Sequence, residues 1–132
     1  MKRLSLLKTC VVFVFCAATA IGSSAQVFIT LHSFAGPDGA TPFSGLVRGA
    51  DGNFYATASS GGASGDGTVF KITPQGALTV LHNFSGGDGY TPYGVLVQGS
   101  DGNLYGTTTR GGGSGTVFRL YPVPACSNCR IK

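Results

Sequence analysis

Glutamate and tryptophan are absent from the 132 residues, and histidine occurs twice. Without glutamate, carboxylate chemistry falls on five aspartates, Asp38, Asp51, Asp66, Asp88 and Asp101, and each is followed by glycine. Asp-Gly pairs are turn chemistry. They do not supply the ligand spacing of a calcium loop, and although paired carboxylates could serve glycoside hydrolysis, turn chemistry accounts for each Asp-Gly without it. Without tryptophan, the broadest platform for stacking on sugars is missing. Charged residues make up only 11% of the chain and form no basic cluster, which excludes a nucleic-acid footprint. Beyond residue 25 there is no long apolar run, so no membrane-spanning helix is expected in the rest of the chain.

The one long apolar run lies at the start. MKRLSLLK carries three positive charges, TCVVFVFCAATAIG is apolar, and SSA places Ser23 and Ala25 where a signal peptidase reads small residues. This reads as a secretory leader, a signal-peptide helix over residues 1–25 cleaved before Gln26, rather than an uncleaved anchor. Its removal takes Lys2, Arg3 and Lys8, so the formal net charge drops from +4 to +1. An extracellular or cell-envelope location follows as an expectation, with no membrane attachment once the leader is cleaved.

Glycine is what the chain has in abundance: 22 residues, of which Gly22 alone lies in the leader. The rest punctuate a repeat. LHSFAGPDGATPFSGLVRGADGNFYATASSGG (31–62) lies over LHNFSGGDGYTPYGVLVQGSDGNLYGTTTRGG (81–112) at an offset of 50, with more than half the positions identical. TVFKITP (68–74) then matches TVFRLYP (116–122) at an offset of 48. The change of two falls between the glycine loops GGASGDG and GGGSG, where loop length is tolerated. Neither loop carries a phosphate-cradle motif or leads into a helix.

Short β-branched and aromatic runs separated by turn residues predict strands. In the first copy these are VFITLHSF (27–34), SGLVRG (44–49), FYATAS (54–59) and TVFKIT (68–73), and ALTVLHNF (77–84) restarts the cycle. Asp51-Gly52-Asn53 and Asp101-Gly102-Asn103 are expected to form primed hairpin turns. Leu46 beside Val47, and Val69 beside Phe70, put apolar groups on both faces of a sheet, which calls for a layer on each side. The expectation is an all-β chain: two four-stranded antiparallel blades of propeller type after the leader. The first repeat takes 26–76, the second 77–122, and a tail 123–132 follows.

The pattern TP-x-x-x-LV-x-G-x-DGN-x-Y-x-T, a glycine loop and GTVF-[KR]-[IL]-x-P runs from Thr41 to Pro74 and again from Thr91 to Pro122. It resembles the bacterial GloVer tandem repeat. That resemblance implies extracytoplasmic proteins of propeller-like fold with a variable C-terminal anchor, and no established reaction or ligand. The chain holds two repeats, and PVPACSNCRIK contains no hydrophobic anchor. Two blades leave faces and strand edges uncovered. A fragment of a longer repeat protein, a ring of several copies and a compact two-sheet monomer are all open readings.

Candidate chemistry is sparse. His32 and His82 occupy the same place in each copy, as ligand contacts or as duplicated strand residues; the second reading is preferred. Tyr55, Tyr105 and Tyr93, with Phe43 and Tyr90, offer aromatic faces to a sugar, set against ordinary cross-strand packing. Cys126 and Cys129 form a CxxC, read as a small-ring disulfide over free thiols or a metal site, since one pair gives half of a zinc shell. No metal, no cofactor and no catalytic residue are expected. The function expected is a non-enzymatic scaffold or binding module, its partner an unidentified protein or glycan, with a homo-oligomer possible.

Overall fold

The structure, a computed structural model, describes residues 25–121. These residues form seven strands in two antiparallel sheets, and no helix occurs among them. The first sheet is ordered β1 (Val47–Arg48), β2 (Phe54–Ala58), β3 (Thr68–Ile72), β4 (Leu78–Asn83). The second is β5 (Val97–Gln98), β6 (Leu104–Thr108), β7 (Thr116–Leu120). Residues 1–24, on which the expected leader falls, and the cysteines Cys126 and Cys129 lie outside the described residues.

Two expectations need correction. The run 27–34 forms no strand, although its composition favours one. Strand propensity is realised only when a neighbouring edge offers its N–H and C=O groups, and no such edge faces this segment. The second sheet therefore has three described strands, not four. β4, which opens the second sequence copy, completes the first sheet beside β3. The first sheet takes its fourth strand from the start of the second copy.

The strand registers show why both faces of the first sheet are apolar. Along β2, Tyr55 points to one side and Phe54, Ala56 and Ala58 to the other; along β3, Val69 opposes Phe70 and Ile72. The Tyr55–Val69 side meets Phe84, Leu96 and Leu104, with Phe118 and Leu120 packed at its margin, and this is the core between the sheets. The register shift at Val69/Phe70, where β3 meets β4, is a bulge next to this contact. Hydrogen bonds that tie the first sheet and its loops to the second include Thr57 Oγ1 to Pro92 O (3.3 Å), Thr91 N to Asp66 O (3.0 Å) and Ala50 N to Gln98 Oε1 (3.0 Å).

The opposite side of the first sheet carries the second cluster, Ala56, Ala58, Phe70 and Ile72, with Phe34, Phe54 and Leu78 against it. Phe34 meets Phe70 edge-on at 5.1 Å and 68°, and Phe84 meets Phe118 edge-on at 5.2 Å and 68°. The LH-x-F segment that precedes each sheet thus lays its phenylalanine on that sheet in one geometry. Only the second sheet also has a full partner there.

Candidate functional site

The repeated polar side chains resolve into two constellations, each built twice. In the first, the Gly49 C=O accepts from Gly52 N (3.0 Å), and Gly49 N donates to Asn53 O (2.8 Å). Gly52 has φ +82° and Asp51 has no positive φ, so this is a three-residue loop ending in a left-handed glycine. The expected primed turn is absent, as it needs positive φ at two consecutive residues or at the first. Asp51 Oδ1 accepts the Asn53 amide (3.1 Å), and Oδ2 accepts Asn53 Nδ2 and the Tyr55 hydroxyl, both at 2.7 Å. Asp101, Asn103 and Tyr105 repeat this at 3.1, 2.8 and 2.7 Å, with Gly102 at φ +80°.

Burial pushes the Asp51 carboxyl up, but hydrogen bonds from Tyr55 and Asn53 outweigh it and hold Asp51 below the usual carboxylate range. Asp101 is held low by the Tyr105 hydroxyl first and by Asn103 next. Tyr55 is buried, and burial together with the Asp51 carboxylate pushes its phenol up to about 12.

The second constellation pairs each histidine with an aspartate six residues on. His32 Nε2 lies 2.6 Å from Asp38 Oδ2, and Asp38 Oδ1 accepts Ala35 N at 2.9 Å. His82 and Asp88 repeat the 2.6 Å contact, with Ser85 N at 2.9 Å. Each imidazole stands edge-on to the next phenylalanine, at 5.1 Å for Phe34 and 4.9 Å for Phe84. The Ala35 amide and then His32 lower Asp38; the Ser85 amide leads and His82 assists at Asp88. An imidazole–carboxylate pair orients a general base when a nucleophile is within reach. Among the described residues neither imidazole is hydrogen-bonded to a hydroxyl or thiol. No three metal-ligating side chains converge among them either.

The sequence puts the histidines on strands and the aspartates in turns without joining them. The signal was present as H-x-F-x-x-x-D-G in both copies. A second missed feature is the Thr-Pro pair. Thr41 (φ 54°) and Thr91 (φ 57°) take a left-handed conformation rare for a β-branched residue. Such a conformation costs about 1–3 kcal/mol. Paired bonds to each carbonyl offset it: Ser59 N and Oγ to Thr41 O (3.1 and 3.0 Å), and Thr109 N and Oγ1 to Thr91 O (3.2 and 3.0 Å).

Tyr55, Tyr105 and Tyr93 do not converge on one surface. Tyr55 is in the inter-sheet core; Tyr105 is half-buried on the far side of the second sheet; Tyr93 is exposed and leans on exposed Phe43 at 5.5 Å. Of the concavities, a cleft of about 160 Å³ lies beside His82, Asp88, Phe84 and Phe118. An open polar hollow of about 510 Å³ is lined by Tyr90, Arg110 and the glycines of the second loop. An apolar groove of about 440 Å³ is the uncovered side of the first sheet, lined by Leu46, Phe54, Ala56, Phe70 and Ile72 beside Leu31, His32 and Phe34.

The Asp51–Tyr55 bond gives a pH signature. A folded phenol at about 12 against about 10 in the unfolded chain stabilises the fold fully below pH 10, and that contribution is lost between pH 10 and about 12. The four lowered aspartates act at the other end: their contribution is present above about pH 4 and is lost as pH falls below it. Urea midpoints measured across pH should fall on both limbs. Tyr55→Phe should flatten the alkaline limb and cost about 1–2 kcal/mol at neutral pH; an unchanged alkaline limb would contradict the assignment.

No curated protein matches the chain. A family model described as the Gloeobacter/Verrucomicrobia repeat matches residues 15–128, which takes in both copies of the Asp-Gly-Asn-x-Tyr clasp and of the His–Asp pair. With that match running over most of its length, the chain belongs to the Gloeobacter/Verrucomicrobia repeat family.

Proposed function

We propose that the chain is an extracytoplasmic, non-catalytic repeat scaffold of the β-propeller type, exported by residues 1–25, that presents its loops to a partner. The observation that carries this reading is the fate of the repeated polar groups. His32 and His82, Asp38 and Asp88, Asp51 and Asp101 each make the same local bonds in both copies. A group whose hydrogen bonds close a turn at every repeat is accounted for by architecture, and duplication of a whole module duplicates it without selection for chemistry. Export is supported by the charged, apolar and small-residue succession of the leader. Stacking is supported by sheets apolar on two sides.

One observation favours a second reading, a glycan-binding module: Phe43 and Tyr93 are exposed, adjacent and drawn from different copies. Tyr55 takes no part in it, because it is buried with its hydroxyl on Asp51. A glycan array probed with the purified chain separates the two. The scaffold reading expects no saturable binding. Binding that disappears in Tyr93→Ala, at an unchanged melting temperature, would replace it with the glycan reading.

A further inference from the structure

The contact between the two sheets obeys a rule that the rest of the molecule leaves half-used. The second sheet presents Leu96, Leu104, Phe118 and Leu120, around Gly106, to the Tyr55–Val69 side of the first. At the repeat offsets of 50 and 48, the corresponding residues of the first sheet are Leu46, Phe54, Phe70, Ile72 and Ala56. These are the residues lining the apolar groove of about 440 Å³. Conversely, the side of the first sheet that receives the second carries Val47, Tyr55 and Val69. Its counterparts on the second sheet are Val97, Tyr105 and Val117, and there Val97 is 64% and Val117 79% exposed. One open face is a copy of the inserting surface and the other is a copy of the receiving surface.

The strand edges match in the same way. β4 completes the first sheet by pairing Lys71 with Thr79 and Ile72 with Leu78. β7, the counterpart of β3, has no strand partner on its far edge among the described residues. The segment with the right sequence is VFITLHSF (27–34), equivalent to ALTVLHNF (77–84), and it is unpaired, with Phe28 92% and Ile29 69% exposed. In the tail, residues 125–132 at the same spacing read ACSNCRIK, without the β-branched run or the LH-x-F ending.

We propose that a second copy of this chain docks head-to-tail. Residues 27–34 of one copy complete the other's second sheet as its fourth strand, and that sheet's Val97–Tyr105–Val117 face stacks in the apolar groove. The contact is heterologous, so the same step repeats until a ring closes. Propellers of four to eight blades correspond to two to four chains of two sheets each. The inference concerns assembly and stands whether or not the scaffold binds a glycan. The register transfers from the internal pair, placing Arg119 opposite Ile29 as Lys71 stands opposite Thr79. Directly opposed residues of an antiparallel pair lie about 4.5–5.5 Å apart at Cα, within disulfide range.

The test uses the full chain with Cys10, Cys16, Cys126 and Cys129 replaced by serine, and carries Ile29→Cys in one preparation and Arg119→Cys in another. Mixed and oxidised, they should give at least tenfold more covalent dimer on a non-reducing gel than either alone. Thr79→Cys mixed with Ile29→Cys should give none, because Thr79 already sits on a paired strand. Light scattering of the serine variant should report two, three or four chains per particle. A monomer that persists to high micromolar concentration without cross-linking overturns the proposal. So does preferential Ile29–Ile29 dimerisation, which would be an isologous contact, and so does a bond formed only within one chain carrying both cysteines.

Discussion

Phe84→Ala should lower the melting temperature by more than about 10 °C, the largest loss expected from any single truncation in this chain. Phe84 is 1% exposed, lies in the inter-sheet cluster with Tyr55, Val69, Leu96 and Leu104, and stands edge-on to Phe118. Removing a buried phenylalanine costs about 3–5 kcal/mol through lost transfer energy and the cavity left behind. A domain near 100 residues moves about 4–8 °C per kcal/mol. The backbone gives the site little room to collapse, because Phe84 N is held by Gly67 O at 3.0 Å. Phe34→Ala is the comparison. Phe34 meets Phe70 in nearly the same geometry, but it is only partly buried beside the open groove. In dilute solution its truncation should cost about 1–2 kcal/mol, less than the range for a fully enclosed ring. Calorimetry at low protein concentration measures both. Equal losses would mean that the outer side of the first sheet is covered as completely as the inner side.

These two phenylalanines also show what a sequence can and cannot disclose here. The repeat places them in register, and their runs, LHSF and LHNF, have the same strand-like character. The sequence pattern accordingly located β2, β3, β4, β6 and β7 to within a residue or two at each end. It could not say that 77–84 would find an edge while 27–34 would not. Pairing is a property of what lies alongside: β3 offers its edge to 77–84, whereas 27–34 pairs with no strand among the described residues. The same limit explains the missed polar contacts. Asp51 and Asp101 were legible as turn residues because their bonds reach only two to four residues along the chain. His32–Asp38 and His82–Asp88 require the intervening loop to fold back over six residues, and nothing in the residue types fixes that path. Thr41 and Thr91 ran against propensity altogether. A β-branched residue argues for extended backbone, and here paired bonds to a neighbouring segment hold it elsewhere.

That folding back depends on glycines that let two backbone segments touch, and Gly111→Ala should reveal it. Gly111 has φ +111°, a region closed to side chains, and a Cβ there would lie 2.4 Å from Gly89 Cα and 2.9 Å from Gly89 N. The obstacle is backbone, so no rotamer change relieves it. A Cβ on Gly61 would lie 2.6 Å from Ala40 N and from Gly36 O in the same place of the first copy, so each glycine loop packs closely on the Asp-Gly loop that carries the histidine's partner. Backbone strain of about 1–3 kcal/mol adds to overpacking of about 1–3 kcal/mol, for an expected loss of about 2–6 kcal/mol. The loop should also release Asp88 from His82, visible as a change in the His82 ring resonances. Gly112→Ala is the control one residue on. It has φ +56°, its Cβ would meet Thr116 Cγ2 at an ordinary 3.5 Å, and the left-handed penalty alone predicts about 1–2 kcal/mol. Urea midpoints that fall equally for the two variants, with His82 undisturbed in both, would mean that the loops do not cross at Gly89 and that the His–Asp pair stands without the glycine loop beneath it.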